Sequence, residues 1–375
     1  MKKVLLKVSI MFALIFNLVA CGQISTQIQD EEVSLAVNFD EILPMEVHFI
    51  DVGQGDCSLI KCGDEYMLID AGTDDSGTAI QLYLTKQGIN TLKYFIVTHS
   101  DADHEGGADV IITKFDIQNL YMCAYPKETK THKDVLNAAT YKNLKWTTPS
   151  VGTTFSIGSA IVTVIAPNAT YDDPNNSSIA VLIQNGENKF LFTGDCEEDA
   201  EADIIKNGYD ISADVYQVGH HGSNTSSSQS FLDKVNPTYA VISCGEGNSY
   251  GHPRAETLTK FQNMGIQIFR TDDQGTIIAY SDGTNITWNM SPSENWSPGE
   301  PTSGSSTSTS STTSNQTTVN NSENNGNSET LVWLSATGSK YHKINNCGNM
   351  NPNKATQVTE AEAIAKGKQK CSKCW

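Results

Sequence analysis

Residues 45–52 alternate apolar and polar, with Met45, Val47 and Phe49 on one side, the pattern of a half-buried strand that ends at Gly53 and Gly55. Residues 57–60 and 66–69 flank a Gly63-Asp64 turn and predict a hairpin. Ile80, Leu82, Tyr83 and Leu84 predict a helix over 78–87, with Gly88 behind its C-terminus. An apolar run at 94–97 reads as a buried strand, and a helix follows from about 108 to 113. Residues 115–165 mix short strands with a polar helix in an order the pattern does not resolve. A second hairpin, 179–183 with 190–192, turns at Asn185-Gly186. Beyond it, 196–206 predicts a helix, 215–218 and 239–243 predict strands, and Pro253 suits the first turn of a helix running to Met264. Residues 266–269, 276–280 and 286–288 close the series as strands. Strands alternating with helices argue a layered α/β domain over 45–290, and the hairpins make its sheets mixed.

The pattern is different at both ends. Lys2, Lys3 and Lys7 precede an apolar run at 8–19, which ends Leu18-Val19-Ala20-Cys21-Gly22. This resembles a bacterial lipobox, with Cys21 acylated after cleavage; an ordinary secretory signal or an uncleaved anchor is the alternative. Residues 1–21 are thus expected to be a lipoprotein signal peptide and 22–44 a polar spacer. The expected location is outside the cell, lipid-anchored on the outer face of the cytoplasmic membrane, with the lipid as the sole membrane contact. No later segment has the length of a transmembrane helix. Residues 291–330 are Ser, Thr, Asn, Gly and Pro, a disordered linker by composition. A small module is expected at 331–375.

The formal charge of −18 is uneven. The signal carries +3 and residues 331–375 carry +5, which leaves −26 for 22–330. Such a body repels polyanions at long range. Of nine cysteines, five (Cys57, Cys62, Cys123, Cys196, Cys244) are scattered, and a Cys57–Cys62 disulfide is left open. In the tail, His342, Cys347, Cys371 and Cys374 offer one imidazole and three thiols. A C-x-x-C pair with two more soft ligands suits a structural Zn²⁺, and a 45-residue module with few apolar groups needs such a staple. A disulfide with one cysteine left over is the alternative.

Candidate chemistry gathers behind the strand at 94–97. The stretch THSDADHEGG (98–107) packs His99, Asp101, Asp103 and His104 together, with Gly106 and Gly107 behind them. Crowded carboxylates repel, and one or two divalent cations remove that cost. Asp70, Asp195, the His220-His221 pair and His252 share this placement at strand ends or in the loops behind them. His48 and His132 stand apart and are read as an ordinary strand residue and a surface residue. Gly53-Gln54-Gly55-Asp56 is not a P-loop, since the Gly-Lys-Ser/Thr ending is missing, and no nucleotide cofactor is expected.

In order, HFIDVGQGDCSLI (48–60), LIDAG (68–72), THSDADHEGG, NNSSIAVLI (175–183), FTGD (192–195), HHGS (220–223) and YGHP (250–253) resemble the metallo-β-lactamase superfamily. Within it they resemble the competence branch, the extracellular nuclease-like domain of ComEC-type DNA-uptake proteins. The resemblance implies an αββα sandwich with metals at one edge. It implies that His99 and Asp101 serve one metal and Asp103 and His104 a second, with Asp195 bridging. His220 is taken as the ligand of its pair and His221 as a residue near the substrate. Asp70 and Asn176 would orient ligands from behind, and His252 would donate a proton or stabilise charge. Asp103, His221 and His252 are the expected catalytic residues. Asp101 stands where histidine is commoner, and Asn175-Asn176-Ser177 stands where another histidine is often found. Fewer imidazoles and more oxygens soften the preference for Zn²⁺ and make Mn²⁺ or Mg²⁺ plausible.

The expected activity is metal-dependent hydrolysis by a bridging hydroxide, as a phosphodiesterase or nuclease on extracellular DNA. Alternatives are hydrolysis of a teichoic-acid choline-phosphate ester or a lactone, and non-catalytic binding of nucleic acid or an anionic wall polymer through the basic tail.

Overall fold

The computed structural model describes residues 41–125, 127–299, 331–334, 340–342, 356–359, 363, 366 and 368–371. Expectations for Cys21 and the signal, for 22–40, for 300–330 and for Cys347 and Cys374 lie outside these. The chain divides into two units, Met1–Ser305 and Ser306–Trp375.

In the first unit the chain runs β1 (Met45–Phe49), β2 (Ser58–Cys62), β3 (Glu65–Ile69), α1 (Gly77–Lys86), β4 (Thr91–Val97), α2 (Ala102–Glu105), α3 (Ala108–Lys114), β5 (Asp116–Met122), α4 (Lys130–Tyr141) and β6 (Trp146–Thr147). It continues through β7 (Thr154–Ile157), β8 (Ala160–Ala166), β9 (Ala180–Asn185), β10 (Asn188–Phe192), α5 (Glu198–Asn207), β11 (Val215–Gln217), α6 (Gln229–Val235) and β12 (Tyr239–Ile242). It ends with α7 (Ala255–Met264), β13 (Gln267–Arg270), α8 (Thr271–Gln274), β14 (Ile277–Ser281) and β15 (Ile286–Trp288).

Two mixed sheets result, ordered β15-β14-β1-β2-β3-β4-β5-β6 and β13-β12-β11-β10-β9-β8-β7. Each joins antiparallel hairpins to a parallel half, β3 to β6 in one and β10 to β13 in the other. Side-chain alternation then builds four layers. Met67 and Ile69 of β3 pack with Phe190 and Phe192 of β10 between the sheets. Leu68 turns outward to Ile80 of α1, Ile111 of α3 and Val135 of α4. Leu191 turns outward to Ile204 of α5, Phe231 of α6 and Phe261 of α7. Each such fully buried Leu, Ile or Phe stabilises the fold by about 1.5–3 kcal/mol relative to an exposed one. The body is therefore the expected αββα sandwich.

Several local expectations change. His48 is a buried strand residue, as expected, whereas His132, read as a surface residue, is buried as well. His48 faces outward from β1 beneath α1, its Nδ1 2.7 Å from the Tyr83 hydroxyl, while His132 Nδ1 sits 2.9 Å from Glu105 Oε2. Pro253 precedes the helix rather than opening it, since Arg254 is the residue capping α7. Cys57 and Cys62 are separate buried thiols with no bridge between them.

In the second unit, β16 (Leu331–Leu334), β17 (Lys340–His342), β18 (Thr356–Thr359) and β19 (Gln369–Lys370) form a sheet ordered β18-β16-β17-β19. The Cys371 amide donates to the Tyr341 carbonyl, so of the four expected tail ligands His342 lies in β17 and Cys371 directly follows the neighbouring β19.

Candidate metal centre

Parallel strands deliver their C-terminal ends to one edge of the sandwich, and the loops there carry the polar residues. Asp70 follows β3, His99 to His104 follow β4, Asp195 follows β10 and the His220-His221 pair follows β11. The loop from β1 to β2 adds Asp56, which the sequence reading did not assign.

The two central imidazoles are fixed from behind. His104 Nδ1 donates to Asp70 Oδ2 at 2.8 Å, and His221 Nδ1 donates to the Ser243 carbonyl at 3.0 Å. Both rings therefore direct Nε2 inward, where the two nitrogens meet at 3.3 Å. With both Nδ1 protons committed, two lone pairs face each other, and only a proton or a cation between them relieves the repulsion. Around this point stand Asp195 Oδ1, 3.2 Å from His104 Nε2, and Asp103 Oδ2, 3.2 Å from His221 Nε2. Four N and O ligands held at zinc-like bond lengths of about 2.0–2.2 Å in a tetrahedron would lie roughly 3.3–3.6 Å from one another.

Asp56, His104, Asp195 and His221 each offer a donor atom within 4.8 Å of all the others, and all four are buried. Asp56 stands on the Nδ1 side of both rings, 3.9 Å from His104 and 3.8 Å from His221. Asp56 Oδ1, Asp195 Oδ1, His99 Nε2 and His252 Nδ1 are buried without a hydrogen-bond partner. So many unsatisfied polar atoms within one buried cluster fit a cation.

Protonation supports the same reading. Burial would depress His104, but the charges of Asp195 and Asp70 outweigh it and hold that imidazole far above its ordinary value. Burial also opposes the charged form of His221, yet Asp195, the Asp103 hydrogen bond and Asp56 push it up to about 9. Asp103 and Asp195 resist burial in turn and are held below the usual carboxylate range by these imidazolium groups. Asp56 is raised to about 6, mainly by burial. The protons on His104 and His221 thus occupy the position a divalent ion takes when it binds.

The other expected residues take distinct places. Asp195 reaches both ways, with Oδ2 at 3.8 Å from His99 Nε2 and 3.7 Å from the Nε2 atoms of His220 and His221. His99 Nδ1 meets the hydroxyls of Thr98 and Ser178, at 3.1 and 3.3 Å. His220, expected as the ligand of its pair, is 22 % exposed and its Nδ1 faces Thr225 and Glu197. His221, expected near the substrate, is the member within the four-residue group. Asp101 caps α2 and is ion-paired with Lys127, outside that group. Asn176 accepts from the amides of Glu197 and Ala200 at the start of α5, so it orients that helix and the backbone behind Asp195 rather than a histidine. His252 is buried beside the histidine pair, with ring centroids 5.5 Å from His220 and 6.2 Å from His221.

Backbone conformation explains much of this. Asp70, His220 and His221 have φ of 59°, 51° and 55°, a region costly for residues with a Cβ and characteristic of functional sites. Gly55 carries φ +144°, and a Cβ there would stand 2.4 Å from the Asp103 carbonyl. The adjacent Asp56 amide donates to that same carbonyl at 3.1 Å, which brings its carboxylate into the site. The available signal was a carboxylate directly after Gly55 in a glycine-containing loop next to a strand, as Asp195 directly follows Gly194.

Comparison with known proteins matches this architecture. The family profile described as Metallo-beta-lactamase superfamily covers residues 50–246. ComE operon protein 3 of Bacillus subtilis (strain 168) is 32% identical over 254 residues, covering 62% of this chain and 32% of that protein. Competence protein ComA of Neisseria gonorrhoeae is 30% identical over 230 residues, covering 60% and 31%. The chain thus spans about a third of the length of these curated relatives. Among solved structures, the metallo-beta-lactamase fold protein YhfI from Bacillus subtilis aligns over 64% of this chain and 100% of its own, with TM-score 0.42 and 15% identity.

Proposed function

The chain belongs to the metallo-β-lactamase superfamily, and on that premise we propose that it is a metal-dependent phosphodiesterase acting on extracellular DNA. The observation that supports hydrolysis is the inward-facing pair His104 Nε2 and His221 Nε2, flanked by Asp103 and Asp195. A bound divalent ion supplies Lewis acidity to an attacked phosphoryl group. The residues supply the rest. Asp70 and the Ser243 carbonyl hold the two imidazoles in the tautomer a ligand needs. His252, depressed to about 3 mainly by burial and by the neighbouring His221 and His220, is neutral at neutral pH. Beside the histidine pair, its unpartnered Nδ1 would hydrogen-bond a substrate oxygen.

DNA as substrate is supported by the similarity to two competence proteins over this domain and by the +5 charge of residues 331–375. The lipobox-like Cys21 supports an exported protein, lipid-anchored on the outer face of the cytoplasmic membrane. The small module would carry a structural Zn²⁺ on His342, Cys347, Cys371 and Cys374, joined to the catalytic domain by the expected linker, whose first residues, 291–299, instead hydrogen-bond to and pack on the first unit. Among the described residues no helix is long and apolar enough to cross a membrane. The −26 charge of residues 22–330 favours a second reading, an ester whose leaving or retained group is cationic, such as a choline-phosphate ester.

The test is hydrolysis by the purified chain with Mn²⁺ or Zn²⁺, on linear DNA, on a chromogenic phosphodiester, on a choline-phosphate ester and on a lactone. Metal-dependent DNA cleavage that disappears in Asp103→Ala is expected. Turnover of the small esters with none on DNA would reject the nuclease reading.

A further inference from the structure

The His252 ring lies between two others. It stacks on His221, with centroids 6.2 Å apart and planes at 29°, and on Tyr250, with centroids 5.7 Å apart and planes at 23°. Both contacts fall within the range of offset aromatic stacking. His252 is buried, whereas Tyr250 is 56% exposed. The stack therefore begins at a residue of the buried metal group and ends in solvent. Other exposed aromatics among the described residues, Tyr141, Trp146, Tyr209 and Tyr280, have no ring contact with any residue of the centre.

The loop that presents Tyr250 is braced from within. Buried Asn248 accepts from the Tyr250 and His252 amides through Oδ1, at 3.2 and 3.0 Å. Through Nδ2 it donates to the Gly245 and His252 carbonyls, at 2.9 and 2.6 Å. The Gly245 amide donates to Gln54 Oε1 at 3.2 Å, which ties this loop to the one that carries Asp56. The ring is thus positioned before any ligand arrives, and stacking on it costs little ordering entropy. Arg254, two residues beyond His252, adds positive charge. Its amide donates to the Gly222 carbonyl at 2.9 Å, and its Nε is buried without a hydrogen-bond partner. Arg270 is paired with Asp272, whereas Arg254 has no ion pair among the described residues.

Building on the nuclease reading, we infer that Tyr250 is a stacking platform for an unpaired nucleobase of the substrate strand, in the nucleotide that flanks the attacked phosphate. Every base has a π-face, so such a platform holds a strand without reading its sequence. Stacking needs no net charge, so it also works against the −26 charge of residues 22–330. A quaternary ammonium also binds a tyrosine face. The unpaired Arg254 guanidinium near His252 repels such a cation and attracts the phosphates of a strand.

The test is steady-state cleavage by the full chain with Mn²⁺, on short single-stranded oligonucleotides in which one abasic sugar is stepped through the positions flanking the cut. Tyr250→Ala and Tyr250→Leu should raise KM on the intact strand by roughly 10–100-fold, with kcat within about threefold of wild type. Tyr250→Phe keeps the ring and should stay within about threefold in both. With wild type, an abasic sugar at one position should raise KM by a similar factor, and the same sugar should have no further effect in Tyr250→Ala. Metal content after gel filtration equal to wild type shows that each variant keeps the centre. An abasic penalty that persists in Tyr250→Ala would mean that the ring only shapes the loop, and would overturn the inference. So would a KM unchanged by Tyr250→Ala, or wild-type cleavage indifferent to an abasic sugar at every position; in these cases DNA is still cleaved and the nuclease reading stands. Turnover of a choline-phosphate ester that depends on Tyr250, with DNA cleavage that does not, would assign the ring to a cation instead. No DNA cleavage by wild type would reject the nuclease reading and the platform together.

Discussion

Asp70 Oδ2 accepts the Nδ1 proton of His104 at 2.8 Å, and the same carboxylate accepts the Thr98 amide and hydroxyl at 2.8 and 2.7 Å. Asp70 therefore ties the tip of β3 to the loop behind β4 and sets the histidine's tautomer. Asp70→Asn keeps the shape but removes the charge and one acceptor. Affinity for the metal ion should fall by roughly 10–100-fold with the fold retained. Calorimetry with far-ultraviolet dichroism measures both, and an unchanged affinity would show that Asp70 does not orient the ligand.

Gly55 and Gly53 both have positive φ, but only Gly55 faces a backbone atom at once. A methyl group at Gly55 must push the Asp103 carbonyl away, whereas at Gly53 it meets nothing within 4 Å. Gly55→Ala should therefore cost more stability than Gly53→Ala, by about 1–3 kcal/mol, and should also weaken metal binding. Denaturant unfolding of both variants, with and without metal, separates steric displacement from the backbone penalty they share.

His220 and His221 are adjacent in sequence but unequal in the site. His221→Ala removes an inward Nε2 and should weaken metal binding by more than about a hundredfold. His220→Ala should leave that affinity within about tenfold of wild type. Metal content after gel filtration decides between them, and the reverse ranking would restore His220 as the primary ligand.

Metal-free protein should lose stability as pH rises. The folded-state value of His221 lies near 9 against an ordinary 6.5, so its contribution is complete below 6.5 and is lost as pH climbs through 9. Glu105, raised from 4.5 to about 8 by burial, acts in the same direction between those two values and adds no further loss above 8. Metal binding should do the opposite and strengthen with pH toward 9, because each ion displaces imidazole protons. Thermal melts between pH 6 and 9.5, with and without Mn²⁺, should diverge as pH increases; parallel curves would mean that no proton is exchanged for metal.

The sequence by itself determined the layered α/β fold and the edge on which the polar residues gather. Alternation along β1 and β3, the two hairpins and the helical spacing of Ile80 and Leu84 each report which face of a segment is buried, and that information is local. The carboxylates and imidazoles at strand ends were visible for the same reason: a buried strand makes a charged residue at its tip conspicuous. Residues 115–165 were less legible because α4 is polar along much of its length and β6 has only two residues. Only the tertiary structure brought Asp56 to the site, placed His221 rather than His220 in the buried four-residue group, paired Asp101 with Lys127 and buried His132 against Glu105. Each of these outcomes depends on segments far apart in the chain meeting at a few ångströms, or on two successive residues held at positive φ. Neither leaves a periodic trace in the sequence, because the energy that decides it lies in contacts between segments rather than within them.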